Sequence, residues 1–111
     1  MTGKFELKPA KGGKFMFNLK ATNGQVILTS ETYDTKKAAE KGIESVRKNA
    51  TNEKRFERKT SKKSEPYFVL KASNGEPIGK SETYTDGKSV AKGIASVMRN
   101  APEARLDDLT K

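Results

Sequence analysis

Apolar and polar residues alternate through Phe5-Glu6-Leu7-Lys8, and an apolar-rich run follows at Phe15-Met16-Phe17-Asn18-Leu19-Lys20-Ala21. A period of two puts Phe17, Leu19 and Ala21 on one side of an extended chain, which is the pattern of a strand with one face toward a core. Two strands are therefore predicted, the first ending at Pro9 and the second opening after the turn Lys11-Gly12-Gly13-Lys14. The same pair of patterns returns at Phe56-Glu57-Arg58-Lys59 and Tyr67-Phe68-Val69-Leu70-Lys71-Ala72, with a turn from Ser61 to Pro66 between them.

Thr22-Asn23-Gly24 and Ser73-Asn74-Gly75 mark hairpins, since Asn-Gly readily supplies the left-handed backbone of a tight turn. Two registers fit. A two-residue loop pairs Leu19 with Leu28 and Leu70 with Gly79, and turns Ile27 and Ile78 away from the core. A three-residue loop closed by glycine sets Ile27 beside Leu19 and Ile78 beside Leu70. The second is expected, because a one-residue slip would expose the one aliphatic that both segments retain. The third strands, residues 25–30 and 76–81, are unequal: Pro77 and Gly79 stand where Val26 and Leu28 do, and Pro77 predicts an edge or strand-start position.

A change of period then signals helices. Ala39, Ile43, Val46 and Ala50 recur at spacings of four, three and four, as do Val90, Ile94, Val97 and Ala101, so each helix lays a narrow apolar stripe on the sheet. Asp34 or Thr35, and Thr85 or Asp86, are positioned to cap them. Gly42 and Gly93 sit inside the stripes at a cost of about 1 kcal/mol relative to alanine, which predicts a close approach of each helix backbone to the sheet.

These parallels are one duplication. Residues 17–51 and 68–102 align without a gap at an offset of 51, with nineteen identities in thirty-five positions. A fifty-residue unit of three strands and one helix buries too little surface to stand comfortably alone. The expected fold is therefore α+β: two tandem β-β-β-α repeats, 4–53 and 54–104, joined in one mostly antiparallel sheet with both helices on one face. Phe5, Phe17, Leu19, Ile27, Phe56, Phe68, Leu70 and Ile78 are the predicted core. Beyond Pro102, residues 105–111 read as a tail from which only Leu106 and Leu109 would dock.

Composition narrows the chemistry. With no Cys and no His in 111 residues, the chain lacks the thiol nucleophile, the common general base near neutral pH and the usual zinc ligands. No catalytic, metal-binding or cofactor-binding residues are assigned, and a non-enzyme is expected. The N-terminus shows no apolar leader and no stretch has the length of a membrane span, which reads as a cytoplasmic protein with no membrane partner. The net charge of +9 arises from 23 basic and 14 acidic residues and favours polyanions as partners.

The combination of an aromatic strand, Leu-Lys-Ala-x-Asn-Gly, Ser-Glu-x-Tyr and Lys-Gly-Ile-x-Ser-Val ending in Asn resembles the YegP-like family of small bacterial tandem-repeat proteins, over nearly the whole chain. The resemblance implies a common sheet completed by strand exchange between repeats, with Phe56–Lys59 as the shared strand, in a monomer with internal pseudo-two-fold symmetry. The fit is loosest at Pro77, Gly79 and Gly87. The family is uncharacterised, so the resemblance brings no function and no site residues.

Among candidate sites, Ser30-Glu31-Thr32-Tyr33 and Ser81-Glu82-Thr83-Tyr84 read as strand-to-helix turns in which Tyr staples the first helical turn, with a polar site as the competing reading. Lys41 and Lys92, beside the helix glycines, are solvated helix lysines or phosphate contacts; the spacing of a phosphate loop is missing. Asn49 and Asn100 read as helix C-terminal residues. The densest basic run carries Lys54, Arg55, Arg58, Lys59, Lys62 and Lys63 between the two repeats. These are the candidate polyanion contacts of a binding module, with nucleic acid or another polyanion as partner. The alternative is a structural or interaction protein that offers a sheet edge or the open sheet face.

Overall fold

The structure is a computed structural model that describes residues 3–110. In chain order it forms β1 (Lys4–Ala10), β2 (Lys14–Lys20), β3 (Val26–Ser30), α1 (Lys36–Asn49), β4 (Phe56–Thr60), β5 (Pro66–Lys71), β6 (Pro77–Lys80), α2 (Gly87–Asn100) and β7 (Arg105–Asp108). All seven strands lie in one sheet of order β4-β5-β6-β3-β2-β1-β7. Every pairing is antiparallel except that of β7 with β1, which is parallel, so the fold is α+β with a mixed sheet.

The repeats meet at the centre, where β3 pairs with β6 through Thr29↔Lys80 and Ser30↔Gly79. Strand exchange between them is made by β7, which crosses to the outer edge of β1, and not by Phe56–Lys59. Those residues form β4, which among the described residues pairs with β5 and not with β1 or β7. Residues 105–108 are therefore a strand, whereas the sequence reads as a tail there. Four residues of mixed charge carry no strand periodicity, and only the distant β1 supplies their partner.

Both helices cover the same sheet face. The two stripes are buried along their length and meet Phe5, Phe17, Leu19, Phe68, Leu70, Ile27 and Ile78 in one core, which also takes Leu7, Leu28 and Ala104; Phe56, at the edge, is only partly covered. Burying each large side chain contributes about 1.5–3 kcal/mol. Thr35 and Asp86 cap the helices by accepting from Ala38 N at 3.0 Å and Ser89 N at 2.8 Å.

The hairpins combine the two registers. Next to the turn, Ala21 N donates to Gln25 O at 2.9 Å around the three-residue loop 22–24, and Gly24 adopts φ 85°. Further along, Leu19 pairs with Leu28 and Lys20 with Val26, with the register shifting between them. This bulge at Ile27 lets Ile27 and Leu28 both be buried. The second hairpin repeats it: Lys71 pairs with Pro77, Leu70 with Gly79, and Ile78 is the bulged residue. Pro77 thus opens a strand, but an internal one.

Pro9 lies inside β1 instead of ending it. Leu7 O accepts from Leu109 N at 2.8 Å, so the Leu7 backbone faces outward from the sheet. Backbone groups two residues apart in a strand point the same way, and the missing N–H of Pro9 therefore faces the outer edge, past the last residue that β7 pairs. No ladder bond is lost there.

Candidate functional site

The six predicted cations line up along the β4 edge. Lys54 and Arg55 stand in a 3₁₀ turn, Glu53–Arg55, which Asn52 opens by accepting from Lys54 N at 2.9 Å. Arg58 and Lys59 follow in β4. Lys62 and Lys63 occupy the next turn, in which Ser61 N donates to Glu65 O at 2.8 Å and Ser64 takes φ 65°.

The six do not form a flat patch. Arg58 pairs with Phe68, whose ring is in the core, so its side chain leaves on the helix side; Lys59, one residue on, leaves on the open side. Lys59 Nζ lies 3.8 Å from Glu57 Oε1. Among the described residues the other five cations form no ion pair, and all but Arg55 are exposed.

Folding adds cations that sequence spacing does not connect. Between the end of α1 and the β5–β6 hairpin lies an open cleft of about 720 Å³, whose lining includes Lys41, Glu44 and Lys48 of α1 together with Arg55. Of the two repeated helix lysines, only Lys41 shares this cleft. Its counterpart Lys92 is exposed on α2 and does not line it.

The sheet face opposite the helices holds a second feature that spacing alone does not reveal. Cross-strand partners share a face, and the registers place Asp107, Glu6, Asn18, Thr29, Lys80, Val69 and Glu57 in one row across all seven strands. Glu6 is buried, with Lys20, Lys4 and Lys8 at 3.0, 3.4 and 3.5 Å. Glu57, its counterpart at the same offset, takes Lys71 at 2.5 Å together with Lys59. The Lys20 bond, with the charges of the other lysines, holds the Glu6 carboxyl below its ordinary range against the opposing effect of burial, and Lys71 does the same for Glu57. Both carboxylates are neutralised by their own lysines, a structural arrangement and not an acid–base pair.

The repeated Ser-Glu-Thr-Tyr also proves architectural. Ser30 Oγ accepts from Phe17 N at 2.9 Å and donates to Glu31 O at 2.7 Å; Ser81 does the same with Phe68 N at 3.0 Å and Glu82 O at 2.7 Å. Each hydroxyl stands in for a strand partner as the chain leaves the sheet. Tyr33 stacks on Phe17 with ring centroids 6.1 Å apart, and Tyr84 on Phe68 at 6.4 Å. The rings lie under the middle of each helix and not against its first turn: a Cβ on Gly42 would come within 2.4 Å of the Tyr33 hydroxyl, and one on Gly93 within 2.4 Å of that of Tyr84. The close approach expected at these glycines is thus made to a tyrosine laid over the strand. Burial, then the charge of Glu31 or Glu82, pushes both phenols above their usual range, so they stay neutral. Asn49 and Asn100, the last helical residues, donate back to Ser45 O and Ser96 O at 2.8 Å.

A family model described as "Domain of unknown function (DUF1508)" matches the chain twice, at residues 10–57 and 61–108. The chain belongs to this family. Its two matches repeat the internal offset and take in β7 as the closing strand of the second unit. Among curated members, the chain is 56% identical over 108 residues to UPF0339 protein PM0519 of Pasteurella multocida, covering 97% of this chain and 95% of that one. It is 50% identical over 108 residues to UPF0339 protein YegP of Yersinia pestis, covering 97% and 96%. The solution NMR structure of yegP from E. coli, a protein of unknown function, superposes with a TM-score of 0.92 at 47% identity over 98% of this chain and 94% of that one. That of UPF0339 protein SO3888 from Shewanella oneidensis gives 0.91 at 44% identity over 98% and 92%. The family shares this fold and is uncharacterised in function. Among the described residues no helix is long and apolar enough to cross a membrane.

Proposed function

We propose that this protein is a monomeric, single-domain, cytoplasmic binding module without enzymatic activity, which takes an extended polyanion along the basic β4 edge and the adjoining cleft. Nucleic-acid strands and acidic polypeptides share the required chemistry. The observation that carries this reading is the state of the cations: five of the six at the edge form no ion pair among the described residues, whereas Lys4, Lys8, Lys20 and Lys71 of the open face are engaged around Glu6 and Glu57. Cations free to neutralise the charges of a polyanion release the counterions condensed on it, which gives salt-dependent affinity.

The test is a binding isotherm at several salt concentrations with two fluorescent probes, oligothymidylate and polyglutamate. The variant Lys54→Gln/Arg58→Gln/Lys62→Gln/Lys63→Gln is compared with Lys11→Gln/Lys37→Gln/Lys88→Gln/Lys92→Gln, which removes equal charge elsewhere. The edge variant is expected to lose at least tenfold more affinity than the control for a bound probe, with a shallower salt dependence. Equal loss in the two variants, or affinity no greater than that of an unrelated protein of the same charge, refutes the proposal.

A further inference from the structure

The duplication makes the two outer strands equivalent: at an offset of 51 residues β1 corresponds to β4, with Phe5, Glu6, Leu7 and Pro9 matching Phe56, Glu57, Arg58 and Thr60. Their outer edges differ in what covers them. The β1 edge is occupied by β7, whereas β4 has no strand beyond it among the described residues. We infer that the β4 edge is a strand-acceptor site for an extended acidic peptide of a partner protein, which adds to the sheet as β7 adds to β1.

Backbone geometry supports this first. Phe68 N donates to Ser81 Oγ and Phe68 O accepts from Ser81 N at 2.9 Å, so the Phe68 backbone faces β6. Arg58, directly opposite Phe68, is then in a non-hydrogen-bonded pair with β5, and its own N–H and C=O face outward, as do those of Thr60 two residues on. Leu7, the counterpart of Arg58, uses its outward carbonyl to hold Leu109 N at 2.8 Å. On β1 the edge is closed past β7 by Pro9. On β4 the corresponding residue is Thr60, which keeps its N–H.

Charge selects the occupant. In β7, the adjacent acids Asp107 and Asp108 leave on opposite faces; Asp107 reaches Lys4 at 3.5 Å on the open side, and Asp108 reaches Lys36 at the start of α1. The β4 edge also offers a cation on each face, here both from the strand itself: Lys59, 3.8 Å from Glu57, on the open side and Arg58 on the helix side, with Lys54, Arg55, Lys62 and Lys63 at its two ends. Cations on an edge strand repel a second copy of that edge, so this edge rejects itself and admits acid. A peptide gains main-chain hydrogen bonds here that a nucleic-acid backbone cannot make in ladder register.

The inference rests on the polyanion reading above, and the experiment separates the two. The probe is the capped peptide Val-Asp-Asp-Val-Asp-Asp-Val, compared with a version N-methylated at alternate amides and with oligothymidylate. Its readouts are affinity and residue-resolved amide hydrogen exchange in the wild type and in Thr60→Pro, which copies the blocking proline of β1 and spares the bonds to β5. The expected result is at least tenfold slower exchange at Arg58 and Thr60 with the unmethylated peptide, and at least tenfold weaker peptide binding in Thr60→Pro with oligothymidylate binding unchanged. Equal binding of the methylated and unmethylated peptides, protection confined to β1, or indifference to Thr60→Pro overturns strand addition while leaving polyanion binding standing. Absence of binding by every probe overturns both.

Discussion

Leu28 and Gly79 occupy the same position in the two repeats and meet across the junction between them. A Cβ on Gly79 would lie 3.1 Å from Leu28 Cγ and 2.9 Å from Thr29 O, and Leu28 itself is 1% exposed. Two leucines at this pseudo-two-fold junction would collide and two glycines would leave a void. The duplication has therefore been resolved into a large and a small residue that share one space.

Gly79→Ala is accordingly expected to destabilise the fold by about 1–3 kcal/mol through overpacking against a backbone carbonyl. Leu28→Ala opens a cavity that the glycine opposite cannot fill and should cost about 2–5 kcal/mol. Urea unfolding of the single and double variants checks both, and a double variant less destabilised than the sum of the singles shows that the two residues share the space. Strict additivity would refute it.

Gly42→Ala tests the tyrosine packing. Helix propensity alone favours alanine by about 1 kcal/mol, but the new methyl would lie 2.4 Å from the Tyr33 hydroxyl and 3.0 Å from Phe17 Cε2. Net destabilisation by about 1–3 kcal/mol is expected, with a similar value for Gly93→Ala, whereas Gly87→Ala should be tolerated because nothing lies near a Cβ there. Thermal or urea unfolding that ranks Gly87→Ala with the other two would contradict this account.

Arg47 is the anchor for the returning chain. Its guanidinium donates to Ala104 O at 2.6 Å, pairs with Glu44 and stands 5.4 Å over the Phe5 ring, while Met98 fills the equivalent place in the second repeat. Arg47→Met should release β7 locally, seen as at least tenfold faster amide exchange at Leu109, with α2 unaffected. Uniform acceleration across the chain would mean instead that β7 opens only with the whole fold.

Acid should loosen the same region. The carboxyl of Asp108 is held well below its ordinary value of 3.8 by hydrogen bonds from Lys36 and Thr110, and that of Glu6 below 4.5 mainly by Lys20. A carboxylate with a lowered folded pKa contributes stability above its unfolded pKa and loses it as pH falls through the folded one. Stability should therefore be complete near neutrality and decline below about pH 4.5. Glu6→Gln should flatten that decline in urea titrations between pH 7 and 2, and an unchanged slope would show that Glu6 is not a source of it.

Period and punctuation in the sequence were enough for the duplication, six of the seven strands, both helix stripes, a pair of cap candidates for each helix and the three-residue hairpin loop, because each depends on neighbours within a few residues. The identities at Tyr33, Gly42, Phe17 and Ser30 turned out to be one packing motif written twice, but these partners lie nine or more residues apart and no local pattern names them. The candidate cations were legible as a run; that they lie along the outermost strand of the sheet, and that Lys41 and Lys48 share a cleft with Arg55, was not.

What the sequence by itself determined is thus a half-core unit, its duplication and a surplus of positive charge, since hydrophobic period and net charge are properties of the chain. The tertiary structure alone decided the strand order, the Leu28–Gly79 junction, the passage of Arg105–Asp108 to β1 and the edge at β4 that no strand covers among the described residues. Those are long-range pairings, settled by which backbone groups still lack partners and which side chains compete for one volume once the elements have met.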